Sequence, residues 1–114
     1  MVKILIVEDN FFLKKALEEK LSNFSDIAIK DTAQNGEEAI AILEKNHVVD
    51  LILMDIEMPV MNGIKATEII KSKYPQIKII IITVFDNDEN VFEAIKAGAD
   101  GYLLKEKKTE KIYE

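Results

Sequence analysis

Near its N-terminus the chain carries an apolar run that ends at two acids and an amide, KILIVEDN (residues 3–10). Residues 4–7 are all aliphatic and lack the alternation of a strand that has one face in water. A continuous apolar run of this length is typical of a parallel strand that is buried on both faces. The stretch therefore predicts a sheet covered by helices on both sides, with carboxylates where its first strand ends.

The rest of the chain alternates helical and strand patterns that are joined by short loops. Apolar residues at helical spacing predict helices over 12–21, 36–45 and 64–73, and a fourth helix that is capped by Asp86 or Asn87 and runs through Ala97 to a Gly98 cap. Strand patterns cover 27–32, 51–54, 77–83 and 101–104. This alternation favours an α/β fold with a parallel sheet between two helical layers.

A fifth helix is predicted to begin at Thr109, which leaves it only six residues in this sequence. Isolated helices shorter than about 12 to 15 residues are marginal in water, so we expect a truncated helix that is poorly ordered after Glu106. We expect it to share a face of the sheet with the first helix and to cover Leu5, Val7 and the surface beside Leu103.

Composition limits the class of protein. The chain has 114 residues, a formal net charge of −6 and no cysteine, and all fifteen of its basic residues are lysine. Its length fits one domain, residues 1–114. The acidic balance without arginine argues against direct nucleic-acid binding. No apolar run approaches the roughly 20 residues of a membrane span, and no secretory signal is visible, so we expect a cytoplasmic protein without membrane contact.

Polar residues follow the predicted strands at the edge where their carboxyl ends meet. They are Glu8 and Asp9, Asp55 with Glu57, Thr83, and Lys105. Ligands of doubly wound sheets bind at this edge. Carboxylates that converge there repel one another, and a divalent cation with oxygen ligands, Mg²⁺ above all, would relieve the repulsion. The one histidine, His47, is predicted to be a surface loop residue rather than a metal ligand.

Asp55 stands at the end of a central apolar strand, where a carboxylate oxygen could attack phosphorus and form an aspartyl phosphate. Lys105 is the matching cation, and the Thr83 hydroxyl could contact the phosphoryl oxygens. Each residue also has a plain structural interpretation. Glu8 and Asp9 could cap the first helix, Thr83 could be an ordinary strand residue, and Lys105 a solvated strand end.

Four motifs carry a resemblance to a known family: ILIVEDN (4–10), LMDIEMPVMNG (53–63), IIT (81–83) and AGADGYLLK (97–105). Together they resemble the receiver domain of bacterial two-component response regulators over nearly the whole chain. The resemblance implies a flavodoxin-like, three-layer sheet of five parallel strands in the order 2-1-3-4-5. It implies phosphorylation of Asp55 by a sensor histidine kinase, with phosphate contacts from Thr83 and Lys105. It also implies Mg²⁺ held by Glu8, Asp9, Asp55 and the main-chain carbonyl of Glu57.

The resemblance further implies a conformational switch, in which Thr83 moves toward the phosphate and the Tyr102 ring follows inward. Glu57 and Phe85, two positions after Asp55 and Thr83, would flank the path of the hydrolytic water, and we expect the Phe85 ring to shield it. The stretch TVFD (83–86) and the ending GYLLKE (101–106) look most like the subfamily whose receivers precede a helix-turn-helix DNA-binding domain. Phosphorylation-dependent homodimers and transcriptional output are therefore expected, with no enzymatic activity beyond the domain's own phosphotransfer and dephosphorylation.

Four alternatives remain at this stage. A small phosphatase with an aspartyl nucleophile would use Asp55, and Glu57 weakly mimics the second acid of an Asp-x-Asp signature. A flavin carrier could share the sheet order, but the acids after the first strand would repel its phosphate. A stand-alone receiver would act through protein contacts alone, and a degenerate one would never accept phosphate.

Overall fold

A computed structural model of the protein describes residues 1–83 and 88–104. Five strands alternate with four helices: β1 (Val2–Val7), α1 (Phe11–Leu21), β2 (Ile27–Ala33), α2 (Gly36–Lys45), β3 (Leu51–Met54), α3 (Gly63–Lys73), β4 (Lys78–Thr83), α4 (Asp88–Ala97) and β5 (Gly101–Leu104). The predicted bounds agree to within one or two residues. The predicted caps Asp86 and Asn87 and the predicted fifth helix from Thr109 lie outside the described residues. Within the described part, no helix combines the length and the apolar character that crossing a membrane requires.

The five strands form one parallel sheet in the order β2-β1-β3-β4-β5, which confirms the flavodoxin-like fold prediction. The central strands are in register with one another, so that Val7 pairs with Met54, and Met54 with Ile81. The pairing of β1 with β2 shifts between Ile4 and Leu5, where Lys30 is the extra residue of a bulge. Because all strands run the same way, their carboxyl ends lie along one edge of the sheet.

The two faces of the sheet bury different residues of the same strands. Leu5 and Val7 belong to the larger core, which holds buried side chains of α2, α3 and α4. Ile4 and Ile6 belong to the smaller core, against which Leu17 of α1 packs. The expectation that Leu5 and Val7 lie on the α1 face is therefore wrong. A run that is apolar at every position carries no signal about which alternate residues point to which face.

Helices α1, α2 and α3 each follow an asparagine, whose side chain satisfies N–H groups that the helix itself leaves without partners. The Asn10 oxygen accepts from Phe12 and Leu13 at 2.9 and 3.0 Å. Asn35 and Asn62 do the same for α2 and α3. Asn10, and neither Glu8 nor Asp9, is thus the cap of α1.

Candidate functional site

The sheet register brings two buried acids side by side at the carboxyl edge. Glu8 directly follows Val7 on β1, and Asp55 directly follows its neighbour Met54 on β3. The Asp55 N–H donates to the Val7 carbonyl at 3.0 Å, which extends the ladder by one residue and fixes the acid beside β1. Glu8 is 2% exposed and Asp55 is 9% exposed. Asp9, one residue further along the chain, is exposed to solvent.

The three carboxylates of Glu8, Asp9 and Asp55 converge. One oxygen from each lies within 4.8 Å of the other two. The main chain orients the two buried acids, because the Ile56 N–H donates to Asp55 Oδ1 at 2.9 Å and the Asn10 N–H donates to Glu8 Oε2 at 3.2 Å. Three converging carboxylates repel one another unless a cation lies among them. Hard oxygen donors at this spacing suit Mg²⁺, so the residues present fit the predicted metal.

The loop between β3 and α3 folds tightly against the Asp55 backbone. The Gly63 N–H donates to the Ile56 carbonyl at 2.8 Å, and a Cβ at residue 63 would overlap the Asp55 carbonyl oxygen at 1.8 Å. Only glycine fits at this distance. Glycine is required at residue 63 because of this contact with the backbone of the acid at the end of β3.

Val60, in the same loop, adopts a φ of 69°. The Met61 N–H donates to the Pro59 carbonyl at 2.7 Å, and this bond across one residue is that of a γ-turn centred on Val60. Left-handed backbone is unfavourable for a β-branched residue, so the loop is strained at this position. The Gly36 N–H of α2 donates to the Met61 carbonyl at 3.0 Å and ties the loop to that helix. No sequence signal indicated the strain or this tie.

An open pocket of about 420 Å³ lies beside Asp9. Its lining residues are Asp9, Glu57, Met58, Pro59 and Asn62. The exposed Glu57 side chain therefore lies next to the carboxylate cluster, at the mouth of the site. The pocket leaves space for a phosphate-bearing group to approach the cluster from solvent.

The remaining predicted site residues are distributed over β4, β5 and undescribed positions. Thr83 ends β4 and is fully buried. Tyr102 lies on β5 opposite Ile81 and packs, partly buried, against the larger core. Both residues make further polar or ring interactions. Lys105 and Phe85 lie outside the described residues. The structure thus brings Glu8, Asp9 and Asp55 together and places Thr83 at the same edge of the sheet.

Fold and site define a small doubly wound α/β protein in which three carboxylates, one of them a buried aspartate, converge at the carboxyl edge of the sheet. The model of the response regulator receiver domain family matches residues 4–114, and the chain belongs to this family. Membership favours the receiver interpretation over the phosphatase and the flavin carrier.

Curated relatives include transcriptional regulators. Transcriptional regulatory protein LnrK of Bacillus subtilis (strain 168) is 37% identical over 112 residues, which cover 98% of this chain and 50% of LnrK. Response regulator protein VraR of Staphylococcus aureus (strain Mu3 / ATCC 700698) is 42% identical over 106 residues, covering 91% of this chain and 49% of VraR. The chain spans about half the length of the curated relatives it matches.

Solved structures share the fold. A DNA-binding response regulator of the LuxR family from Staphylococcus aureus superimposes with a TM-score of 0.86 at 29% identity, over 98% of this chain and 92% of that one. A chain of the CheX-CheY-BeF3-Mg²⁺ complex from Borrelia burgdorferi superimposes with a TM-score of 0.87 at 27% identity, over 98% and 84% of the two chains. The chain is thus similar to receivers of both DNA-binding and other response regulators.

Proposed function

We propose that this chain is a phosphorylation-dependent signalling switch that accepts a phosphoryl group on Asp55. One observation carries the proposal: in a member of the receiver family, Asp55 lies at the end of a central strand, 9% exposed and within 4.8 Å of two further carboxylates. We propose residues 1–114 as a single receiver domain. Its chemistry is limited to its own phosphorylation and dephosphorylation.

Mg²⁺ would be held by Glu8, Asp9 and Asp55 together with the main-chain carbonyl of Glu57. When bound, the cation would neutralise charge on the phosphoryl oxygens and on the three carboxylates. The solved relative in complex with Mg²⁺ and BeF3 supports this assignment. The acidic cluster itself explains why phosphate would approach poorly in the absence of a cation.

In the transfer step, an Asp55 carboxylate oxygen forms a bond to phosphorus while the bond from phosphorus to its leaving group breaks. The leaving group is a histidine nitrogen of a sensor kinase, or the carboxylate of a small acyl phosphate, and it departs with the bonding electron pair. Thr83 and Lys105 would contact the equatorial phosphoryl oxygens. Thr83 is buried at the end of β4, at the same edge of the sheet as Asp55.

Output would follow from a change in the pair Thr83 and Tyr102. Thr83 would move toward the phosphate, and the Tyr102 ring, already packed against the core, would turn further inward. The cytoplasmic partners would be a sensor histidine kinase and a second copy of the chain. DNA would be reached through a helix-turn-helix region outside these residues, and the DNA-binding response regulator among the solved relatives supports a DNA-binding output. A stand-alone receiver would instead act on a partner protein.

The lifetime of the aspartyl phosphate would depend on Glu57 and Phe85. Glu57 lies at the mouth of the pocket, where it can hold or repel water. Phe85 lies outside the described residues, so its shielding role stays a prediction from the sequence.

The test is phosphorylation by acetyl phosphate, followed by intact-protein mass spectrometry. The wild-type chain should gain one phosphoryl group with Mg²⁺ and none with EDTA. Asp55→Asn should gain none, because its amide cannot act as the nucleophile. Asp26→Asn is the matched control, since this exposed acid precedes β2 at the opposite edge of the sheet. A phosphoryl group on the Asp55→Asn variant would show that another residue is the acceptor.

A further inference from the structure

At the amino edge of the sheet, opposite the carboxylate cluster, the Lys71 ammonium is surrounded by oxygen acceptors. Lys71 Nζ lies 3.1 Å from the Pro75 carbonyl oxygen, 3.0 Å from the Ile77 carbonyl oxygen and 3.0 Å from Asp100 Oδ2. An ammonium has three donors, and all three have acceptors here. The Lys71 side chain is only 17% exposed, in contrast to 51% for Lys73 on the same helix.

Asp100, which directly precedes β5, bonds to β4 as well as to Lys71. Its Oδ2 also accepts from the Ile79 N–H at 2.9 Å, and its own N–H donates to the Ile79 carbonyl at 2.8 Å. Partial burial raises the pKa of the Asp100 carboxyl, but the hydrogen bonds from Ile79 and Lys71 and the charges of Lys71 and Lys78 outweigh it and hold the pKa below its usual value. At neutral pH the Asp100 carboxylate therefore stays charged and hydrogen-bonded to Lys71 and to the Ile79 N–H.

The stem of Lys71 also supports the end of α4. Gly98, at a φ of 105°, follows the last residue of that helix, and a Cβ there would lie 3.2 Å from Lys71 Cγ. The backbone of the α4–β5 connection thus rests directly on this lysine. The Lys71 side chain thus lies beside the α4–β5 connection at Gly98, pairs with Asp100 ahead of β5 and donates to the segment that leads into β4.

These contacts fix the amino ends of the two strands whose later residues form the proposed switch. Thr83 lies at the carboxyl end of β4, and Tyr102 follows Asp100 by two residues on β5. If the opposite ends of α4 and β5 are held, a displacement of Thr83 would be passed on to them as a rotation. If these ends are not held, a shift of the α4–β5 connection would absorb the displacement.

We propose that Lys71 and Asp100 form an anchor that holds β4, β5 and the end of α4 together at the amino edge, and that this anchor couples phosphorylation to the movement of Tyr102. Lys71 is thus a positioning residue for the switch, distant from the phosphorylation chemistry. The inference rests on the proposed function.

The experiment compares Lys71→Met with Lys73→Met. Methionine keeps an unbranched apolar stem against Gly98 but removes all three donors. Lys73→Met is the matched control, because Lys73 makes one exposed ion pair, to Glu44 at 3.4 Å. Backbone amide spectra are recorded with and without beryllium fluoride and Mg²⁺, which together mimic the phosphoryl group. Acetyl phosphate uptake is measured in parallel.

In Lys71→Met, uptake should remain within twofold of wild type, while the beryllium fluoride-induced shifts of residues 98–102 should fall to less than half. Lys73→Met should match the wild type in both measurements. Full-size shifts in Lys71→Met would overturn the proposal. A loss of uptake equal to the loss of shifts would also overturn it, since the lysine would then support stability alone. If Lys71→Met does not fold, Asp100→Asn decides by the same criteria.

Hydrogen exchange separates failure of the anchor from failure of the proposed function. A wild-type chain that neither takes up phosphate nor responds to beryllium fluoride would refute the proposed function. The anchor is then judged by the Ile79 amide, which should exchange at least tenfold faster in Lys71→Met than in the wild type and Lys73→Met. Unchanged protection of that amide would refute the anchor itself.

Discussion

Replacing Asp9 by asparagine should stabilise the protein without metal and remove its stabilisation by Mg²⁺. Asp9 contributes one of three carboxylate oxygens that lie within 4.8 Å of one another. At that separation and an effective dielectric constant of about 20, two unit charges repel by about 3.5 kcal/mol. Asp9 is exposed, and solvent and salt reduce its repulsion with each buried acid to about 1 kcal/mol or less. The substitution removes two such repulsions and keeps the shape of the side chain.

The assay is urea unfolding at pH 7, in EDTA and in saturating Mg²⁺. In EDTA the free energy of unfolding of Asp9→Asn should exceed that of the wild type by about 1 to 2 kcal/mol, or about 4 °C in melting temperature per kcal/mol. Mg²⁺ at 100 times its dissociation constant should stabilise the wild type by about 2.7 kcal/mol and the variant by much less. Salt at 0.5 M should reduce the difference in EDTA, and Asp26→Asn controls for a change in net charge.

Two results would refute the reasoning. Equal stability of the variant and the wild type in EDTA would mean that the three acids do not repel one another as their spacing requires. Equal stabilisation by Mg²⁺ would mean that Asp9 contributes nothing to a cation site.

Three further substitutions test other parts of the structure. Thr67 is fully buried, and its hydroxyl has no hydrogen-bond partner among the described residues. Thr67→Val should therefore raise the free energy of unfolding by about 1 kcal/mol in urea titrations. A decrease would show that the hydroxyl has a partner. Val60→Gly should relieve the strain of the positive φ, which is about 1 to 2 kcal/mol. Glycine also makes the unfolded chain more flexible, which lowers the free energy of unfolding by about 0.5 to 1 kcal/mol, so we expect a small net stabilisation. Val60→Ile should give no stabilisation. Asp100→Asn should lower the free energy of unfolding at pH values above 3.8. The difference from the wild type should vanish as the pH falls through the lowered pKa of the folded carboxyl. A difference that does not change with pH would show that the charge of Asp100 does not stabilise the fold.

Local pattern was sufficient to predict most of the secondary structure and the acids of the site. The aliphatic runs before Glu8 and Asp55 have the composition of buried parallel strands, so the positions where they stop are marked by the first charged residue. Parallel strands then bring those residues to one edge whatever the details of packing. For this reason the convergence of Glu8, Asp9 and Asp55 could be predicted from the sequence alone.

The sequence by itself determined the alternation of strands and helices, the residues that end each strand and the oxygen chemistry that favours Mg²⁺, because these depend on neighbours in the chain. Only the tertiary structure decided that Leu5 and Val7 face α2, α3 and α4, since a uniformly apolar strand gives no preference for either face. It also decided the overlap that excludes any side chain at Gly63, and the anchor between Lys71 and Asp100, which are 29 residues apart. Contacts of this kind depend on how separate elements pack, and no local pattern encodes them.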